Sequence, residues 1–132
     1  MRTRAAWVGF LIGILIVGSV PGIAAGQAKP LPGYRCMMLN LSEQQSMDPS
    51  KRVPVRAAPS MSAPTVGWAG AVVVVREPVT SVNGFVQMLF PDGRQVWIAS
   101  DMLRPYHSLG DPNAKCIPEI LPNGRIGFGS HG

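Results

Sequence analysis

The apolar residues of this chain fall into two regimes. An unbroken run occupies residues 7–20, whereas from residue 51 onward apolar residues come in short bursts separated by Pro, Gly, Asn and Asp. The bursts at 53–56, 65–68, 71–77, 85–90 and 95–99 are rich in Val, Ile and aromatic residues, a composition that suits a pleated, half-buried surface. They predict five short strands. No stretch beyond residue 28 sustains a helical period, and a single turn of 3₁₀-helix is expected over 100–102. Short strands at close spacing without helices predict an all-β domain, a small barrel or sandwich spanning 51–105.

Within it, NGFVQMLFPDGRQVWIAS at 83–100 has the alternation of a hairpin. Successive strand side chains point to opposite faces. Val86, Met88 and Ile98 are expected to fill the interior, which turns Phe85 and Trp97 outward together. Asp92-Gly93 is expected to supply the positive φ angles of a tight two-residue turn. VVVV at 72–75 breaks the alternation, as a strand covered on both faces does. Its alternative is an exposed edge open to a partner's strand.

The flanks are less regular. Residues 29–50 read as an arm with one strand at 35–39. Residues 106–132 read as a Gly/Pro-rich tail that orders only if something ties it down. PDGRQVWIAS at 91–100 is echoed by PNGRIGFGSH at 122–131, so two similar turns are expected. Residues 1–28 carry Arg2 and Arg4, then the fourteen-residue run, then Pro21-Gly22 and small residues. That order is a secretory signal peptide with cleavage after Ala25, Gly26 or Ala28; an uncleaved anchor is the alternative. The run is shorter than the ~20 residues of a spanning helix.

Removing 1–28 takes out Arg2 and Arg4 and no acidic residue, so the formal charge falls from +5 to +3. The remaining cations are dispersed among Pro and apolar residues. Nucleic acid is therefore not an expected partner, and a weak preference for anionic envelope polymers or headgroups is the most that the charge supports. Two cysteines, Cys36 and Cys116, remain in the processed chain. In an exported protein an even count predicts one disulfide, here stapling arm to tail.

The residues of the middle segment also resemble a known family. VPVRAAPSMSAPTVGWAG places Val53, Val55, Arg56, Ala57, Ala58, Pro59, Ser60, Pro64, Val66 and Gly67 in the order of bacterial SH3-like domains. Gly84, Phe85, Val86, Met88, Asp92, Gly93, Trp97, Ile98, Ser100 and Leu103 follow that family's hairpin and closing turn. The likeness covers about half of the processed chain. Phe85 stands where the family usually has Trp, and Val96 where it usually has Gly. The resemblance implies an SH3-like barrel of about five strands with irregular flanking arms. It also implies a ligand class: cell-wall peptide or peptidoglycan, or an extended or Pro-rich peptide of a periplasmic protein.

Catalytic chemistry finds little support. His107 and His131 both lie in the tail, and a Cys–His pair would need a free thiolate. The serines lack a Gly-x-Ser-x-Gly setting. Asp92 and Asp101 fit a hairpin turn and a helical-turn start. Neither a metal site nor a cofactor is expected. Phe85, Trp97, Pro59 and Trp68 are the candidate ligand-binding residues, because aromatics offer rigid contact area at little entropic loss. The competing role of Phe85 and Trp97 is to cap the barrel's open edge beneath arm or tail. The expectation is a non-catalytic periplasmic or secreted binding module, touching membrane only if its N-terminal segment stays attached.

Overall fold

The computed structural model describes residues 13 and 26–131. The signal peptide expected over 1–28 lies almost wholly outside the described residues. Among those described, no helix is long and apolar enough to cross a membrane.

The domain is all-β and antiparallel. Its strands are β1 (Lys29–Pro30), β2 (Tyr34–Leu39), β3 (Pro54–Arg56), β4 (Thr65–Trp68), β5 (Val72–Arg76), β6 (Ser81–Val82), β7 (Phe85–Leu89), β8 (Gln95–Ala99), β9 (Leu103–Pro105), β10 (Lys115–Ile120) and β11 (Ile126–His131). The larger sheet has eight strands in the order β4-β3-β8-β7-β5-β2-β9, with β6 paired to β7. A smaller sheet of three has the order β1-β10-β11.

Alternation places the core. Val55 of β3, Val73 and Val75 of β5, Val86 and Met88 of β7, Val96 and Ile98 of β8, and Leu39 of β2 meet in one buried cluster with Val53. Side chains from five strands converge from one face, so the larger sheet is strongly curled. Fully burying a Val or Ile contributes about 1.5–3 kcal/mol, and Val55, Val75 and Ile98 are each 0% exposed. The curl stops short of a closed barrel, because β4 and β9 remain the two ends of the strand path.

Val74 points to the other face and is still buried, at 4% exposure. It pairs with Cys36 on one side and Leu89 on the other. Cys36 is disulfide-bonded to Cys116 of β10, with Cα atoms 6.0 Å apart. The small sheet is thereby fixed over the outer face of β2 and β5, and it provides the second cover that the VVVV run requires. β5 is an interior strand flanked by β2 and β7, so the edge-strand alternative is excluded.

The tail is not irregular, contrary to expectation. β10 and β11 form a six-residue hairpin ladder, and β1 of the arm pairs with β10. Gly127 and Gly129 of β11 are required by close approach. A Cβ at Gly127 would lie 2.8 Å from Leu121, and one at Gly129 2.6 Å from the Glu119 carboxylate. The arm also contains a four-residue helix, α1 (Glu43–Ser46), opened by a capping box between Ser42 and Gln45.

The echoed turns are the same device built twice. Phe90 N–H donates to the Arg94 carbonyl at 2.9 Å and Gly93 N–H to the Phe90 carbonyl at 2.8 Å. Leu121 N–H likewise donates to Arg125, and Gly124 N–H to Leu121, both at 2.8 Å. Asp92 Oδ1 and Asn123 Oδ1 accept from the backbone N–H of Arg94 and Arg125. Only the glycines take positive φ, 87° at Gly93 and 82° at Gly124. Each is therefore a three-residue loop, a type I turn followed by a glycine bulge, rather than the two-residue turn expected at Asp92-Gly93. The two-residue form occurs instead at Asn83-Gly84, where φ is 51° and 80° between β6 and β7.

Candidate functional site

Phe85 and Trp97 lie on the same face of the β7–β8 ladder. Phe85 is opposite Ala99 and Trp97 opposite Gln87, so the two rings are diagonal neighbours. They do not form one surface. Phe85 is only 5% exposed and sits in a pocket of about 220 Å³ with Met61, Arg56 and Met102. The loop at 57–64 folds over this side. Arg56 Nη1 donates to the Ala63 carbonyl at 3.0 Å, and Asn83 Nδ2 donates to the Pro59 carbonyl at 3.4 Å. Pro59 thus joins two loops through its carbonyl, with its ring half-buried.

Trp97 is half-buried and borders a separate cleft of about 210 Å³. Arg76, Pro78, Thr80 and Val82 line one part of it, and Gln87 lies beside the indole. The Gln87 amide is oriented by Gln95, with Nε2 to Oε1 at 2.8 Å. One aromatic face, one fixed amide, one hydroxyl and one guanidinium therefore converge on a cleft open to solvent. An extended peptide or a sugar presents groups that such a set can contact, apolar surface for the ring and hydrogen-bonding edges for the rest.

Trp68 lies elsewhere. It is 49% exposed on β4, opposite Pro54, and Arg52 stacks on its ring at 4.4 Å. Its groove, about 130 Å³, is shared with Leu89, Phe90, Pro91 and Phe128 at the junction of the two sheets. The four residues singled out by the sequence are thus spread over three places. Phe128, 47% exposed, belongs to the Trp68 groove and was not anticipated, because the tail gave no strand signal on which to place it.

A roomier pocket of about 500 Å³ lies between residues 38–53 and β9. Leu39, Leu41 and Val53 form apolar walls, and Lys51, Arg52 and Arg104 bring positive charge. Asp48 also borders it, with its pKa held below the ordinary carboxylate value first by the Ser50 hydroxyl and then by the Ser50 backbone N–H. No residue here was chosen from the sequence, although Ser42-x-x-Gln45 is a capping-box signal that locates the helix at its rim.

Compared with family profiles, curated proteins and solved structures, the chain matches none.

Proposed function

We propose that this protein is an exported, non-catalytic binding module of the bacterial cell envelope, with an SH3-like core, and that the Trp97 cleft takes cell-wall peptide or peptidoglycan. The observation that carries the reading is the half-buried indole beside the oriented Gln87 amide in an open cleft. Support for the SH3-like core comes from the ordered residue pattern over 53–103 and from the 3₁₀ turn Ser100–Met102 directly after β8. Support for export comes from the Cys36–Cys116 disulfide, since such bonds persist in oxidising compartments.

Co-sedimentation of the disulfide-intact chain with purified peptidoglycan at low salt tests this function. Retention is expected, and Trp97→Ala should weaken it while the melting temperature moves little. Absence of retention for the unsubstituted chain would refute the ligand. A large fall in melting temperature would assign Trp97 a packing role instead.

The exposed Trp68 and Phe128 favour a second reading, recognition of an extended or Pro-rich peptide of a periplasmic protein. A pull-down from periplasmic extract should then enrich one partner and lose it on Trp68→Ala.

A further inference from the structure

β11 closes one side of the smaller sheet, and the ladder fixes which of its backbone groups face away from it. Leu121 N–H donates to the Arg125 carbonyl. Hydrogen-bonded pairs therefore recur at every second position along the hairpin, at Glu119–Gly127 and Ile117–Gly129. The residues between, Ile126, Phe128 and Ser130, turn their N–H and C=O groups outward. Ile126 bears this out, because its N–H donates sideways to the Pro91 carbonyl at 2.8 Å. Past that bond, no hydrogen bond among the described residues reaches the outward groups of Phe128 and Ser130. Edge strands are ordinarily blunted by charge, Pro or a bulge. From Ile126 to Ser130 the strand has no charged residue and no Pro, and its register with β10 is unbroken.

The surroundings of this edge are aromatic and cationic. Phe128 shares its groove with Trp68 and Phe90. Each of the latter two rings carries a guanidinium, Arg52 at 4.4 Å from Trp68 and Arg94 at 5.2 Å from Phe90. Arg125 precedes the strand and is exposed. Asp92 neutralises Arg94, with Oδ2 2.6 Å from its Nε, whereas Arg52 and Arg125 enter no ion pair found among the described residues. A second copy docked edge to edge would bring these cations towards their twins. An acidic partner meets no such repulsion.

We propose that an extended, acidic segment of a partner protein adds to β11 as a fourth strand of the smaller sheet. Its backbone pairs with Phe128 and Ser130, its apolar side chains lie against Phe128 and Trp68, and its carboxylates face Arg52 and Arg125. This rests on the second reading given above, peptide recognition at Trp68 and Phe128, and adds to it the mode of docking and the charge of the partner.

The probe is a seven-residue peptide, acetylated and amidated, with alternating Val and Thr between a terminal Asp and a terminal Glu. Its controls are the same peptide N-methylated throughout and a form with Lys at both ends. Hydrogen exchange and ¹H–¹⁵N NMR titration of the disulfide-intact chain supply the readout. Without peptide, the Phe128 and Ser130 amides should exchange faster than those of Gly127 and Gly129; on binding they should become protected. N-methylation should weaken binding about tenfold or more, the loss of two or three backbone hydrogen bonds, and the Lys ends about threefold. Ser130→Pro removes an outward N–H without touching the ladder to β10 and should weaken binding, as should Trp68→Ala; Trp97→Ala should not. Equal binding of the N-methylated form would overturn strand addition and leave peptide recognition in the groove standing. Equal binding of the Lys form would overturn the acidic partner. Phe128 and Ser130 amides already protected in the free chain would overturn the proposal, and protection that grows with protein concentration would assign the edge to a second copy instead. Binding of no form at millimolar concentration would also overturn it, while the pull-down with Trp68→Ala judges the underlying reading separately. If Ser130→Pro fails to fold, the N-methylated peptide and the two amides decide.

Discussion

Replacing both Cys36 and Cys116 by Ala should produce a large loss of stability. The bond closes a loop of sequence separation 80. In the chain-entropy treatment a loop of that length removes about 15 cal/mol/K from the unfolded ensemble, or ~4.5 kcal/mol at 25 °C. Alanine is the suitable replacement at Cys36, which is 6% exposed, because it introduces no new buried hydroxyl. Urea unfolding followed by circular dichroism and tryptophan fluorescence gives the free-energy difference. Hydrogen exchange supplies a second readout, local in character. Without the bond the small sheet rests on the larger one through few backbone links, among them Ile126 N–H to the Pro91 carbonyl at 2.8 Å. Amides of β10 and β11 should therefore lose protection before those of β7 and β8. A loss below about 1 kcal/mol, with β10 still as protected as β8, would refute the argument that the bond holds the small sheet in place.

Two further outcomes are expected of the paired turns. Gly93→Ala and Gly124→Ala each force an L-residue to φ above +80°, and each should destabilise by about 1–2 kcal/mol in urea unfolding; a neutral effect at both would contradict the bulged-turn geometry. The Asp92 carboxyl has its pKa lowered, chiefly by the Arg94 backbone N–H and next by the Arg94 side chain. A depressed folded-state pKa gives stability that is present above the ordinary carboxylate pKa and is lost as pH falls through the folded value. Asp92→Asn keeps the backbone acceptor, as Asn123 shows in the other turn. Its deficit relative to the unsubstituted chain should therefore appear near neutral pH and vanish in acid, read from melting temperatures between pH 2 and pH 7. A deficit that persists in acid would mean the charge is not its source.

Much of the larger sheet was legible. The strands expected at 65–68 and 95–99 are β4 and β8 to the residue, and β7 differs from its expected span only in ending at Leu89 rather than residue 90. Local alternation suffices there because one face of each strand meets one core. The small sheet was not legible as strands, for reasons that are non-local. Pro118 sits mid-strand in β10, and Gly127 and Gly129 alternate along β11, so both segments look like loop. The glycines are needed only because Leu121 and Glu119 occupy the space a Cβ would take. The PNGR turn was readable, but the ladder around it depends on a disulfide partner 80 positions away. For the binding residues, alternation set the face of Phe85 and Trp97. It carried no information on the 57–64 loop that closes over Phe85.

The strand that most needs covering is made long before its cover. Val72–Val75 is β-branched, uncharged and free of Pro, the composition that pairs readily with copies of itself. The elements that shield its outer face, β10 and β11, end at His131. During synthesis the run emerges tens of residues ahead of its shield. Newly made chains should therefore be prone to clumping until the last hairpin docks and the sulfurs join, which makes an oxidising catalyst or a holding chaperone most useful in that interval.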